Sequence, residues 1–97
     1  MARRVLTDEE VAGALAARSA SDWALIDGKL TRTVAAPTFV DAILLVDRVA
    51  ELAESANHHP DIDIRYNKVT FALVTHDAGG ITQSDVDLAA AIDEAAG

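Results

Sequence analysis

Pro60 constrains this chain more than any other residue, because the apolar period changes on either side of it. Before it, from Phe39 onward, Ala42, Ile43, Val46, Val49, Ala50 and Ala53 recur at intervals of three and four, the spacing of a helix that buries one face. After it, Ile62, Ile64 and Tyr66 alternate with Asp63 and Arg65, the period of a half-buried strand. Proline lacks an amide hydrogen and pushes the preceding residue out of the α region. The helix must therefore stop by Asn57 or His58, and His59 must be extended. Pro37 suits the first turn of the same helix. Val40, Leu44, Leu45 and Leu52 fall outside the apolar stripe and make more apolar surface than one sheet covers, which points to an oligomer contact.

Local signals place the other elements. Thr7 is an N-cap, Glu10 completes a capping box and Leu6 staples onto Val11, so a first helix is expected to run to Ala17 or Arg18. Its apolar side is thin, so it should lie across something larger. Ser19 to Asp22 break that pattern. Trp23–Ile26 and Lys29–Val34 flank Asp27-Gly28, the dipeptide of type I′ hairpins. Asn67-Lys68 is expected to turn the chain into a β-branched and aromatic strand over Val69–Thr75. Asp77 to Gly80 forms a glycine loop. Thr82 then starts a last helix, with Asp85 at its capping-box position and Ile81 stapled onto Val86. The order is α-ββ-α-ββ-α, with no internal repeat and no linker, so residues 1–97 are read as one domain.

Composition removes several classes of function. The chain has 8 Lys+Arg against 16 Asp+Glu, a net charge of −8, and its only basic cluster is Arg3-Arg4, which argues against direct binding to nucleic acid. No stretch approaches the roughly 20 apolar residues of a membrane helix. Val5-Leu6 runs straight into Thr7, Asp8, Glu9 and Glu10, leaving no apolar core for a signal peptide. The expectation is a cytoplasmic protein. With 0 cysteines, disulfides and cysteine-ligated metals are excluded. At 51% hydrophobic residues the chain has the apolar content to fold.

The chemistry is concentrated between residues 58 and 76, where all 3 histidines fall: His58, His59 and His76. Imidazole is the side chain suited to proton transfer near neutral pH. Three readings stay open from the residues alone: a helix stop with exposed rings, a three-histidine zinc site, and an acid/base site without metal. Glu54 precedes His58 by one helical turn and lies close to Ala50 and Ile43 on the helical wheel, so it is expected half buried, where it could orient an imidazole. Asp85 reads first as a capping residue. Gly79-Gly80 lacks the lysine and spacing of a phosphate loop.

The segment from Glu54 to Asp85 resembles the pterin-4a-carbinolamine dehydratases, also known as dimerization cofactors of a homeodomain transcription factor. An acid, His-His-Pro, an aromatic, a further His and a late Asp are carried by Glu54, His58, His59, Pro60, Tyr66, His76 and Asp85 without insertion. Tyr66-Asn67-Lys68-Val69, Thr75-His76 and Gly80-Ile81-Thr82 are also similar, and fainter likeness extends through Trp23 and the Phe39 helix. Ile62 stands where many members have an aromatic, and Ser84 where many have a basic residue. The central helix is aliphatic where relatives are often rich in phenylalanine.

The resemblance implies an α+β domain with a four-stranded antiparallel sheet and three helices on one face, forming a homodimer or homotetramer. It implies loss of water from a 4a-hydroxytetrahydropterin, such as 4a-hydroxytetrahydrobiopterin, to give a quinonoid dihydropterin, with no metal and no cofactor. By position, His58, His59 and His76 share the acid, base and substrate-binding roles. Glu54 orients an imidazole or contacts the ring system, and Asp85 joins the rim of the substrate site as well as capping its helix. The alternative is a noncatalytic family member that serves as a protein-binding or assembly module.

Overall fold

The computed structural model describes residues 4–18, 20 and 22–97. Among them, three helices and four strands follow in the order α1 (Asp8–Ala17), β1 (Ala24–Ile26), β2 (Lys29–Ala35), α2 (Phe39–Ala56), β3 (Asp61–Arg65), β4 (Lys68–Leu73) and α3 (Gln83–Ala96). Ser19 and Ser21, part of the expected break after α1, lie outside the described residues, as does Arg3 of the basic pair. The strands form one antiparallel sheet in the order β1-β2-β4-β3, so the fold is α+β. No described helix is long and apolar enough to cross a membrane.

Local chemistry sets most of the boundaries. Thr7 accepts the Glu10 amide at 3.1 Å while Glu10 accepts the Thr7 amide at 2.9 Å, closing the reciprocal box that starts α1. Asp27 and Gly28 both take positive φ, 52° and 77°, and bring Ile26 opposite Lys29. The second hairpin turns one residue earlier than expected. Arg65 pairs with Lys68, so the turn is Tyr66-Asn67, with Tyr66 at φ 54° and 74% exposed. Asn67 decides this: its Nδ2 donates to the Ala36 carbonyl at 2.7 Å and its own carbonyl accepts the Ala36 amide at 2.8 Å, extending the β2–β4 ladder past Lys68. β4 ends at Leu73, and Thr75 instead makes an isolated bridge with Gly80.

The helices cover the sheet face made by Leu30, Val34, Val69, Phe71 and Leu73; Leu30, Val69, Phe71 and Leu73 are fully buried. Burying each of these side chains is worth roughly 1.5–3 kcal/mol relative to exposure. From the helix side, Val11 and Leu15 of α1, and Val86, Leu88, Ala89 and Ile92 of α3, close the same core. Trp23, buried just ahead of β1, donates its Nε1–H to Asp93 at 2.8 Å, and Arg32 pairs with the same carboxylate, so β1 and β2 are tied to α3. Ile62 and Ile64 stand on the core side of the sheet, opposite Phe71 and Val69, but each is 38% exposed because β3 is an edge strand that the helices do not cover.

The buried stripe of α2 differs from the expected one. Ala42, Leu45, Val49 and Ala53 are buried, Ala50 is exposed, and Ile43 and Val46 are only partly covered. α2 sits against α3 as well as β4, with Leu52 facing Ala91 and Ala95 across the helix pair, and this second contact rotates the stripe towards Leu45. Of the residues expected outside the stripe, Val40 and Leu44 are exposed, Leu52 packs on the core and Leu45 is inside it.

Two outcomes follow from the helix ends. The Thr7 backbone N–H and then Arg4 hold the Glu10 carboxyl below the usual range of a glutamate. A lowered folded-state pKa means that this contribution is complete above the unfolded value and is lost as pH falls through the folded one. Glu10→Gln should therefore lower the melting temperature at neutral pH, with the difference from wild type vanishing in acid; a difference independent of pH would contradict the assignment. Asn57 ends α2 with φ 49° and ψ 44°, the left-handed cap conformation. Asn57→Gly should leave stability unchanged or raised, whereas Asn57→Val should cost about 1–2 kcal/mol in a denaturant titration.

Candidate active site

The end of α2 sets two of the three imidazoles. Left-handed Asn57 turns the chain so that the His58 amide donates back to the Ala53 carbonyl at 3.1 Å, as in a Schellman cap. Pro60 then keeps His59 from continuing the helix. The two neighbouring rings meet opposite environments: His58 is 8% exposed, whereas the His59 side chain is largely open to solvent. His76 arrives from the other side, on the loop that follows β4. That loop is closed by Thr75, whose carbonyl accepts the amides of Ala78 at 3.1 Å and Gly79 at 3.0 Å, while its amide donates to Gly80 at 3.0 Å. Gly79, at φ 80°, supplies the conformation that the turn requires.

These segments enclose a cleft of about 260 Å³ lined by Asn57, His58, His59, Thr75, His76 and neighbouring residues. All three histidines therefore face one small, open, largely polar depression. The two acids singled out in the sequence do not line it. Glu54 is exposed, not half buried, with 77% of its side chain accessible, because the buried stripe of α2 is centred on Ala42, Leu45, Val49 and Ala53, on the opposite side of the helix. It pairs with His59 Nε2 at the edge of the cleft.

Asp85 is the buried acid. It is 0% exposed, so it is not a rim residue and reaches a ligand only through another side chain. His58 Nε2 lies 2.5 Å from Asp85 Oδ1, and because a carboxylate oxygen only accepts, the ring nitrogen is the donor; Oδ2 accepts from the Thr75 hydroxyl at 2.8 Å and from the Thr82 backbone N–H at 2.9 Å. The Thr82 bond is the one expected of a capping box, so capping and imidazole anchoring are served by one carboxylate. With Nε2 committed to Asp85, Nδ1 is the ring nitrogen of His58 left to exchange a proton with a ligand. Sequence reasoning missed Thr75 and Thr82 as members of this cluster. Their signal was that two hydroxyls flank the glycine loop, each within reach of the last acid of the motif.

Chemically, the arrangement offers three imidazoles able to donate and accept protons around one small ligand. Comparison with other proteins agrees with this composition. The family model for pterin 4 alpha carbinolamine dehydratase matches residues 4–95. A relative from Nocardia farcinica, provisionally named a pterin-4-alpha-carbinolamine dehydratase, is 54% identical over 96 residues, covering 99% of each chain. One of the same provisional name from Mycobacterium avium is 58% identical over 85 residues, covering 88% of each. A crystal structure from Brucella melitensis, described as a transcriptional coactivator/pterin dehydratase, superposes with a TM-score of 0.88 at 32% identity, over 97% of this chain and 100% of that one. A match this long, on a fold that brings the three motif histidines into one cleft, places the chain in the pterin-4a-carbinolamine dehydratase family.

Proposed function

We propose that this protein is a 4a-hydroxytetrahydropterin dehydratase, with 4a-hydroxytetrahydrobiopterin as the type of substrate. The convergence of His58, His59 and His76 on one cleft carries this reading. The C4a–O bond breaks as the hydroxyl takes a proton and leaves as water. The N5–H proton passes to a base, and its electron pair completes the C4a=N5 double bond of the quinonoid dihydropterin. Nothing is oxidised or reduced, so the reaction needs one proton donor and one proton acceptor. Three imidazoles supply both, and His58, exchanging through Nδ1 above a buried Asp85, is the most firmly oriented of them. His59 and His76 complete the acid/base and substrate-binding set, and Glu54 orients His59. An open cleft suits a flat, small ligand whose side chain extends into solvent. The proposed setting is the cytoplasm, and the acting unit is the domain spanning residues 1–97.

The working protein is proposed to be a homodimer or homotetramer. Val40 and Leu44 are 64% and 47% exposed on α2. The same exposed face favours, as a second reading, a module that binds another protein without catalysis. Static light scattering separates the outcomes. A dimer or tetramer that shifts to a smaller species in Leu44→Glu supports self-association, and a monomeric wild type overturns it.

The dehydration is tested by following loss of a 4a-hydroxytetrahydropterin by absorbance. Acceleration over the spontaneous reaction at micromolar protein is expected, and none would overturn the reading in favour of the binding module. His58→Ala and His76→Ala should each lower kcat by about 10²- to 10⁴-fold, the usual worth of a positioned acid or base. Glu54→Gln should cost no more than about fivefold, since an exposed ion pair is worth roughly 0–1 kcal/mol.

A further inference from the structure

Thr75 closes the His76 loop through its backbone, and its hydroxyl stands at a second, more consequential place beside Asp85. The side chain is 2% exposed and lies between two other buried polar groups, Asp85 and Thr82. Its oxygen is 2.8 Å from Asp85 Oδ2 and 2.8 Å from the Thr82 hydroxyl. A hydroxyl has one proton to give. A carboxylate accepting from His58 and from a backbone N–H can only accept from Thr75 as well, so the Thr75 proton goes to Asp85 and the Thr82 hydroxyl must donate to Thr75. The hydrogens are therefore ordered in one direction, from Thr82 through Thr75 to Asp85, with the opposite carboxylate oxygen receiving His58 Nε2–H.

We propose that Thr75 is a positioning residue for the dehydration, acting through Asp85 to hold His58 with its proton on Nε2 and its Nδ1 free for the substrate. This rests on the proposed dehydratase activity. The Thr82 amide alone holds Asp85 Oδ2 at one point, about which the carboxylate can still swing. The Thr75 hydroxyl is the second point, and together they fix the plane that aims Oδ1 at the ring. Thr75 also serves both walls of the cleft at once: its side chain governs the support of His58, and its backbone closes the loop that presents His76.

Thr75→Val keeps the branched shape and the backbone bonds but deletes the hydroxyl, whereas Thr75→Ser keeps the hydroxyl. The expected result is a fall in kcat of about 10- to 100-fold in Thr75→Val with KM little changed, and recovery in Thr75→Ser. Ring ¹⁵N NMR of His58 should show the Nε2–H form in the wild type and in Thr75→Ser, and mixed tautomers in Thr75→Val. If Thr75→Val does not fold, Thr75→Ala removes the same hydroxyl from a less crowded site and should give the same two readings. Wild-type kcat or an unchanged His58 spectrum in a folded variant lacking the hydroxyl would overturn the proposal, as would a Thr75→Ser protein as slow as Thr75→Val. If the wild type itself does not dehydrate the pterin, the reaction assigned above fails, and with it the kinetic role of Thr75; the NMR comparison then decides separately whether Thr75 sets the His58 tautomer.

Discussion

The Asp85 carboxylate is the group on which the geometry of the cleft depends. Burying a charge is costly unless it is paired and hydrogen-bonded, and here three donors from three parts of the chain meet it: His58 after α2, Thr75 after β4, and the Thr82 amide at the start of α3. Each donor lies at the end of an element whose body is held by the apolar core. The carboxylate therefore receives its partners only when α2, β4 and α3 are all in place. A lone acid at this depth would destabilise the fold, whereas the triply bonded one ties the three element ends together.

The same economy of position explains why two adjacent histidines behave differently. Asn57 in the left-handed region swings His58 back beneath the helix end, and Pro60 keeps His59 extended. His58 consequently meets a buried acid and His59 meets an exposed one, Glu54. An ion pair open to water contributes little, while a buried one fixes orientation and is costly to break. The cleft thus combines one rigidly held imidazole with two more accessible ones, an arrangement suited to proton exchange with a small ligand that enters from solvent.

The apolar surface outside the core has its own logic. α2 divides its stripe between β4 and α3, which leaves Val40 and Leu44 on the far side, while Ile62 and Ile64 extend the core face of the sheet beyond the reach of the helices. These residues obey the periodicity of their elements, but the described elements of the chain cover them only in part.

Much of this molecule was legible in its residues because the relevant forces are local. Capping boxes, an Asp-Gly hairpin and a proline stop act within four residues, and they locate α1, the first hairpin and the end of α2 with little ambiguity. The histidine motif likewise identifies the cleft, since its spacing is carried by one hairpin. Which face of α2 is buried, and which acid lies beneath an imidazole, were not legible. Glu54 is a turn away from His58 in sequence yet faces solvent, whereas Asp85, 27 residues further on, is brought under it by α3 packing. Helical periodicity specifies that a stripe exists, but its angle is set by the helices and sheet that meet it. Only the tertiary structure could decide that the capping residue of the last helix is also the anchor of the central histidine.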